Sequence, residues 1–276
     1  MFFKDKVVIV TGSGSGIGRT TAQLLAKEGA RVVINGRDEK KLADVIQSLP
    51  SRQALPIAAD VADPVQAKAL IEKTVLHFGR LDALINNAGI ASNADLVDTS
   101  PEVFKKVIDT NILGCVFPSQ YAIPHLEKTK GSIIFISSIA GFYGLPHAAA
   151  YSASKMALTA LTQSMSLELQ EKEIHTGIVY VGFTENDTNK KVFDSNGGFI
   201  PVASRPPKLQ MKQEDTARAI LDSIRYRKRY KTLTLVGKLN RITTRLFPFV
   251  TEMVLRRSLK NMKEMFNVQP NPKIPR

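Results

Sequence analysis

The chain has 276 residues, 43% of them hydrophobic, and a single cysteine, Cys115. That length buries an ample core without staples, and one cysteine excludes an intramolecular disulfide framework and suits a reducing, cytoplasmic compartment. Lys and Arg outnumber Asp and Glu by 38 to 25, giving +13, while no apolar run, at the N-terminus or elsewhere, has the length of a signal peptide or membrane span.

Short β-branched apolar runs alternate with amphipathic helical patterns. In chain order the strands are expected at 6–10, 31–34, 54–59, 81–86, 132–137 and 176–181, with helices near 17–28, 39–48, 64–78, 101–126 and 151–170. Near-continuous apolar strands separated by helices predict an α/β fold: a doubly wound parallel sheet of the Rossmann type, with ligands at the strands' carboxyl ends. The alternation breaks after 182. Residues 183–212, rich in Asn, Asp, Ser, Gly and Pro, read as a long loop with one short helix and serve as a candidate lid. A helix near 213–226 and a last strand near 232–236 complete a domain spanning 1–236, and a basic helical extension from about 238 fills 237–276.

"TGSGSGIG" (11–18) follows the first strand and opens the first helix. Gly12, Gly16 and Gly18 let the backbone turn sharply and approach a pyrophosphate, for which the helix amides are an anion site. The end of the second strand reads Asn35-Gly36-Arg37, with no carboxylate at its tip, and Arg37 can pair with a 2′-phosphate, which favours NADP over NAD. Asp60, after the third strand, could reach the adenine edge through its carboxylate or its neighbour's amide. "NNAG" (86–89) closes the fourth strand, where an Asn can bridge neighbouring backbones and Ala88 and Gly89 leave room for a flat ligand. Finally, Tyr151 and Lys155 in "YSASK" stand one helical turn apart and share a face.

Taken in order, "TGSGSGIG", "DV" at 60–61, "NNAG", Asn111, Ser138 and "YSASK" make the chain resemble the short-chain dehydrogenase/reductases over residues 5 to about 185. The resemblance implies one Rossmann-type domain, a nicotinamide cofactor and the interconversion of an alcohol and a carbonyl compound. It assigns catalysis to Asn111, Ser138, Tyr151 and Lys155. Cofactor binding falls to Gly12, Ser13, Ser15, Gly16, Ile17, Gly18, Arg37, Asp60, Val61, Asn87, Ala88, Gly89, Tyr151, Lys155 and Thr184. Substrate contacts fall to Ser138, Tyr151 and the apolar Phe142 and Tyr143. The chemistry is coherent: a free tyrosine holds its proton to about pH 10, and a nearby ammonium stabilises the phenolate, so such a pair exchanges protons with an alkoxide.

Where the family has Pro-Gly after the sixth strand, this chain has Val181-Gly182. Its last strand also lacks the Gly-Gly ending of the 3-oxoacyl-acyl carrier protein reductases, and its basic amphipathic ending resembles that of reductases acting on lipid-like ketones, which implies a hydrophobic, lipid-like carbonyl substrate, with an oxoacyl thioester as the alternative. A non-catalytic NADPH-binding or membrane-docking protein is the alternative of another class. Leu239, Ile242, Leu246, Phe249, Val250 and Met253 share one face of the tail helix, flanked by Arg241, Arg245 and Arg256, and Pro248 should kink or split it. That helix could meet a membrane surface, the substrate mouth or another subunit; a homodimer or homotetramer is implied by the resemblance. Nucleic acid is not expected, despite five basic residues in "RYRKRYK" (225–231). His77, His125, His147 and His175 lack metal-ligand spacing, no GxSxG elbow exists, and Cys115 reads as a packed thiol.

Overall fold

A computed structural model describes residues 1–50, 53–187, 190–202, 210–266 and 268. Its framework is a seven-stranded sheet built from β1 (Val7–Val10), β2 (Arg31–Gly36), β3 (Ala54–Ala58), β4 (Ala83–Asn86), β5 (Ser132–Ser138), β6 (His175–Val181) and β9 (Tyr230–Thr232). The strands run parallel in the order β3-β2-β1-β4-β5-β6-β9. The order reverses between β1 and β4, which opens the crevice at their carboxyl ends.

Both faces of this sheet are covered. On one side α1 (Gly16–Lys27), α2 (Glu39–Gln47) and α7 (Gln213–Arg225) close over Val8, Val10, Val32, Ile34 and Ile134. On the other, α3 (Pro64–Phe78), α5 (Gly114–Thr129) and α6 (Ala149–Glu168) cover Ile9, Val33, Leu84, Phe135 and Ile178. Alternate residues of one strand thus serve opposite cores, and for that reason the strand runs are apolar throughout. Helix starts follow local capping chemistry: Asp38 and Asp63 each accept two amide hydrogens at the heads of α2 and α3, and Pro64 fills the first turn of the latter.

Several expectations are corrected. The helix foreseen over 101–126 is interrupted: α4 (Pro101–Ile108) passes through a π-helical turn at Asp109–Leu113 before α5 begins. Within 183–212 the described residues hold an antiparallel hairpin that the loop reading did not include, β7 (Lys191–Phe193) with β8 (Phe199–Pro201); residues 188, 189 and 203–209 of this stretch, where the short helix could fall, lie outside the described residues. The hairpin is favoured because Asp194 accepts from the Asn196 and Gly198 amides and Gly197 takes a positive φ. The last strand ends at Thr232 and does not reach 236. Thr234 adopts φ 62° and its hydroxyl caps the Gly237 amide, so α8 (Leu235–Leu246) begins within the stretch expected to be strand. Pro248 does divide the tail helix, starting α9 (Pro248–Arg257), and α10 (Leu259–Met265) follows.

Candidate active site

Four strand ends converge on the crevice. After β1, Gly12 has φ +63°, and a Cβ there would lie 2.7 Å from Ala88 Cα; a Cβ on Gly18 would lie 2.4 Å from Asn87 Nδ2 and 2.5 Å from the Gly12 carbonyl. Glycine at these two positions brings the loop directly against the segment after β4. Thr11 locks that contact, its hydroxyl oxygen accepting from the Asn87 and Ala88 amides at 3.0 Å each. Asn87 returns its side-chain amide to the carbonyls of Thr11 and Gly12. Ser13 ties the loop to β2, donating its hydroxyl to Val10 and accepting from the Asn35 amide, so Ser13 is buried within the scaffold. The result is a rigid cradle at the N-terminus of α1, where helix amides favour an anion and the Gly16 amide meets the Asp187 carboxylate.

At the tip of β2, Arg37 lies 3.6 Å from Asp60, both side chains partly exposed. Asp60 also accepts from the Ala62 amide, fixing the turn that carries Val61. Asn35 is buried, and its side-chain nitrogen donates to the carbonyls of Ile57 and Ala59, welding β2 to β3.

The second half of the site lies where α6 passes the ends of β4 and β5. Tyr151 and Lys155 face one another on α6, with the ammonium 5.7 Å from the phenol ring centre. Lys155 is only 5% exposed and donates to the Ile136 carbonyl at 2.9 Å; it makes no ion pair with any described residue. Ser137 helps hold this turn, its hydroxyl donating to the Lys155 carbonyl. Ser138, at the last position of β5, accepts from the Ala140 amide at 3.2 Å, which leaves its own proton to donate outward. Asn111 sits fully buried in the π-helical turn, a device often found where a helix must aim one side chain. Its Oδ1 accepts from the Ile90 amide and its Nδ2 donates to the Ile90 carbonyl and to Ser154. Gly89 lies between, close enough that a methyl there would be 3.2 Å from Asn111 Oδ1 and 3.4 Å from Lys155 Nζ. Cys115, one helical turn beyond, is buried and its thiol is pushed up to about 11 by that burial, as befits a packing residue.

Not every expected residue converges. Thr184 is buried with its hydroxyl 3.4 Å from that of Thr216, facing α7. Phe142 packs its ring 4.3 Å from Tyr180 at the margin of the second core, whereas Tyr143 is half-buried beside it. A group that sequence reasoning missed is Asp187. Its carboxylate accepts from the Gly16 amide and from Arg19, each at 2.9 Å, and from Gln213 at 3.0 Å, joining the loop after β6 to the head of α1. Burial alone would raise Asp187, but the bonds from Gln213 and Gly16 and the charge of Arg19 outweigh it and hold the carboxyl below its ordinary range.

Residues 6–197 match the family described as short chain dehydrogenase. The chain belongs to the short-chain dehydrogenases. Among curated members of this oxidoreductase family, an uncharacterized oxidoreductase of Thermotoga maritima is 39% identical over 190 residues, 68% of this chain and 75% of that protein. The 11-beta-hydroxysteroid dehydrogenase A of Arachis hypogaea is 39% identical over 202 residues, and the alignment spans 71% of this chain and only 57% of that protein. A 3-oxoacyl-[acyl-carrier-protein] reductase of Thermotoga maritima is 35% identical over 70% of this chain and 79% of its own length. Among solved structures, a short-chain dehydrogenase/reductase of unknown function from Caenorhabditis elegans, determined with cofactor, superposes with a TM-score of 0.71 at 28% identity, covering 84% of this chain and 95% of that one. A 3-ketoacyl-(acyl-carrier-protein) reductase of Brucella melitensis shares the fold, with a TM-score of 0.73 at 24% identity over 84% of this chain and 97% of that one.

Proposed function

We propose that this short-chain dehydrogenase is an NADP(H)-dependent oxidoreductase that interconverts a carbonyl and an alcohol on a hydrophobic, lipid-like substrate, with Tyr151 as the general acid and base. One observation carries the reading: Lys155 is a buried ammonium whose charge no described carboxylate neutralises, held against the Tyr151 ring. A buried cation is costly unless its charge is used. Here it stabilises the phenolate left when Tyr151 gives up its proton, so Tyr151 protonates the developing alkoxide in reduction and accepts the proton in oxidation. Ser138 donates its hydroxyl to the same oxygen. Asn111 holds Ile90 and Ser154 on the far side of Lys155, and a water between Asn111 and Lys155 would return the proton to solvent.

The cradle of Gly12, Gly16 and Gly18 with Ser15 and Ile17 at the head of α1 would take a pyrophosphate in place of the Asp187 carboxylate on the Gly16 amide, and the floor at Ala88 and Gly89 a nicotinamide ring beside Lys155. When bound, the dinucleotide supplies or takes up the hydride. Arg37 meets a 2′-phosphate in place of its contact with Asp60, while Asp60 and Val61 flank the adenine, and Thr184 contributes from the loop after β6. Tyr143 and the edge of Phe142 line the substrate side. For the oxoacyl-carrier alternative, Lys128, Lys130 and Lys172 are the candidate contacts with an acidic carrier; Lys130 pairs with Glu173 and Lys172 with Glu127, and a carrier would have to displace these exposed pairs. Self-association through α4, α5 and α6 is part of the proposal, supported by the exposed Met156 and Leu167 on α6.

The reaction is tested by loss of NADPH absorbance when hydrophobic ketones are added to purified protein. Cofactor choice is tested by titrating NADPH and NADH into wild type and Arg37→Ala. The reading expects an NADPH preference that the substitution erases; equal affinities in the wild type would contradict it.

A further inference from the structure

Helix α8 is amphipathic in the reverse sense to a helix that covers a globular core. Leu235, Leu239, Ile242 and Leu246 recur at intervals of four, three and four residues, which aligns them along one stripe. That stripe faces outward, with the four side chains 53% to 73% exposed. The inward face is instead polar or small: Gly237 is the buried residue of the helix, and Arg241 turns back to Thr232 and over the Tyr230 ring at 5.2 Å. After Pro248 the pattern continues on α9, where Phe249 is 67% exposed and Met253 and Val254 stand out beside it, while the opposite side buries Thr251. A contiguous outward apolar surface of this extent marks an interaction site.

Charge identifies the occupant. Lys238 and Arg245 flank the stripe on α8, and Arg257 and Lys260 follow on α9 and α10; all four are exposed, and none pairs with a described acidic residue. In the preceding basic run, by contrast, Arg225 pairs with Glu28 and Asp222, and Arg227 donates to the carbonyls of Lys130 and Glu173. A second copy of the chain would bring like charges together around the apolar stripe, whereas an anionic bilayer supplies both an apolar interior and a negative surface. We infer that α8 and α9 form a docking surface for anionic membranes.

The position of this surface gives docking a consequence. Gly237 packs so close to Ile139 that a Cβ would lie 3.3 Å from Ile139 Cγ2, and Ile139 directly follows Ser138. The C-terminal segment also covers the 142–147 turn, with Met262 and Phe266 clustered against Leu145 and Asn93 donating to the Phe266 carbonyl at 2.8 Å. Docking through α8 and α9 therefore sets the mouth beside Ser138 against the lipid surface, where an apolar substrate concentrates; this last step alone rests on the function proposed above.

The test is co-sedimentation of the full chain with vesicles of phosphatidylcholine alone or mixed with phosphatidylglycerol, at low and high salt and without substrate. Wild type should bind the mixed vesicles at low salt at least tenfold more than the neutral ones. The pair Leu239→Glu and Phe249→Glu should lose that binding, and Lys238→Gln with Arg245→Gln should lose the preference for anionic lipid. These side chains are exposed, so NADPH binding should remain at the wild-type level and reports that the variants are folded. Wild type left in the supernatant with anionic vesicles overturns the inference, as does unchanged binding in the glutamate pair. A wild-type oligomer that the glutamate pair dissociates, without lipid binding, assigns the face to a second copy and also overturns it.

Discussion

Acidification should destabilise this protein through His175, the first residue of β6. The side chain is 8% exposed, and its Nε2 is buried with no partner among the described residues. Burial lowers its pKa from 6.5 to about 4, with Arg227 adding to the shift and the backbone at Ser223 and Lys228 opposing it. The unfolded chain binds the proton near pH 6.5 and the folded one only near pH 4. Stability from this residue is therefore complete above the unfolded value and is lost as pH falls toward the folded one. For a difference of that size the linkage relation gives about 2 kcal/mol lost between pH 7 and pH 5. Urea unfolding of wild type and His175→Leu at both pH values isolates the term, because the carboxylates titrate alike in the two proteins. The wild-type advantage over the variant should shrink by that amount on acidification. Parallel pH dependences would show that His175 is protonated in the folded state and would refute the reasoning.

Gly18→Ala places a methyl against the Gly12 carbonyl and Asn87, so it should cost about 1–3 kcal/mol and weaken NADPH binding, read by thermal unfolding and cofactor titration. Asn111→Leu strands the Ile90 amide and carbonyl, and should lower the unfolding free energy by about 2–6 kcal/mol, each of the two orphans costing about 1–3. Asp187→Asn removes the carboxylate shared by Gly16, Arg19 and Gln213, and should speed tryptic cleavage at Lys190 and Lys191; an unchanged rate would deny the anchor.

Much of this arrangement was legible in the sequence. Five of the six strands from "KVVIV" to "TGIVYV" announced themselves because a strand buried on both faces is apolar almost throughout, while the edge strand β3 is half-exposed and shows only as a short apolar run. Helical spacing put Tyr151 and Lys155 on one face, and the resemblance carried by the motifs around them singled the pair out. The π-helical turn at 109–113 was not, since one extra residue in a turn barely disturbs an apolar periodicity. Nor was the 191–201 hairpin, whose three-residue strands are too short to display an alternation. The Asp187 clamp joins groups 171 and 168 residues apart, and no local pattern encodes such a contact. The end of β9 was misplaced because "TLTLV" is as apolar as a strand, while Thr234 turns the chain by capping a helix. The outward stripe of α8 shows the same limit, since the sequence fixes which residues share a face and leaves open which way the face points.

The proposed function depends most on Tyr151 as the residue that moves the proton. Its most direct test measures NADPH affinity and ketone turnover side by side in wild type and Tyr151→Phe. In Tyr151→Phe the cofactor should bind within about threefold of wild type while turnover falls by about 10²–10⁴, the contribution expected of a general acid. Turnover in Tyr151→Phe equal to that of the wild type would contradict it.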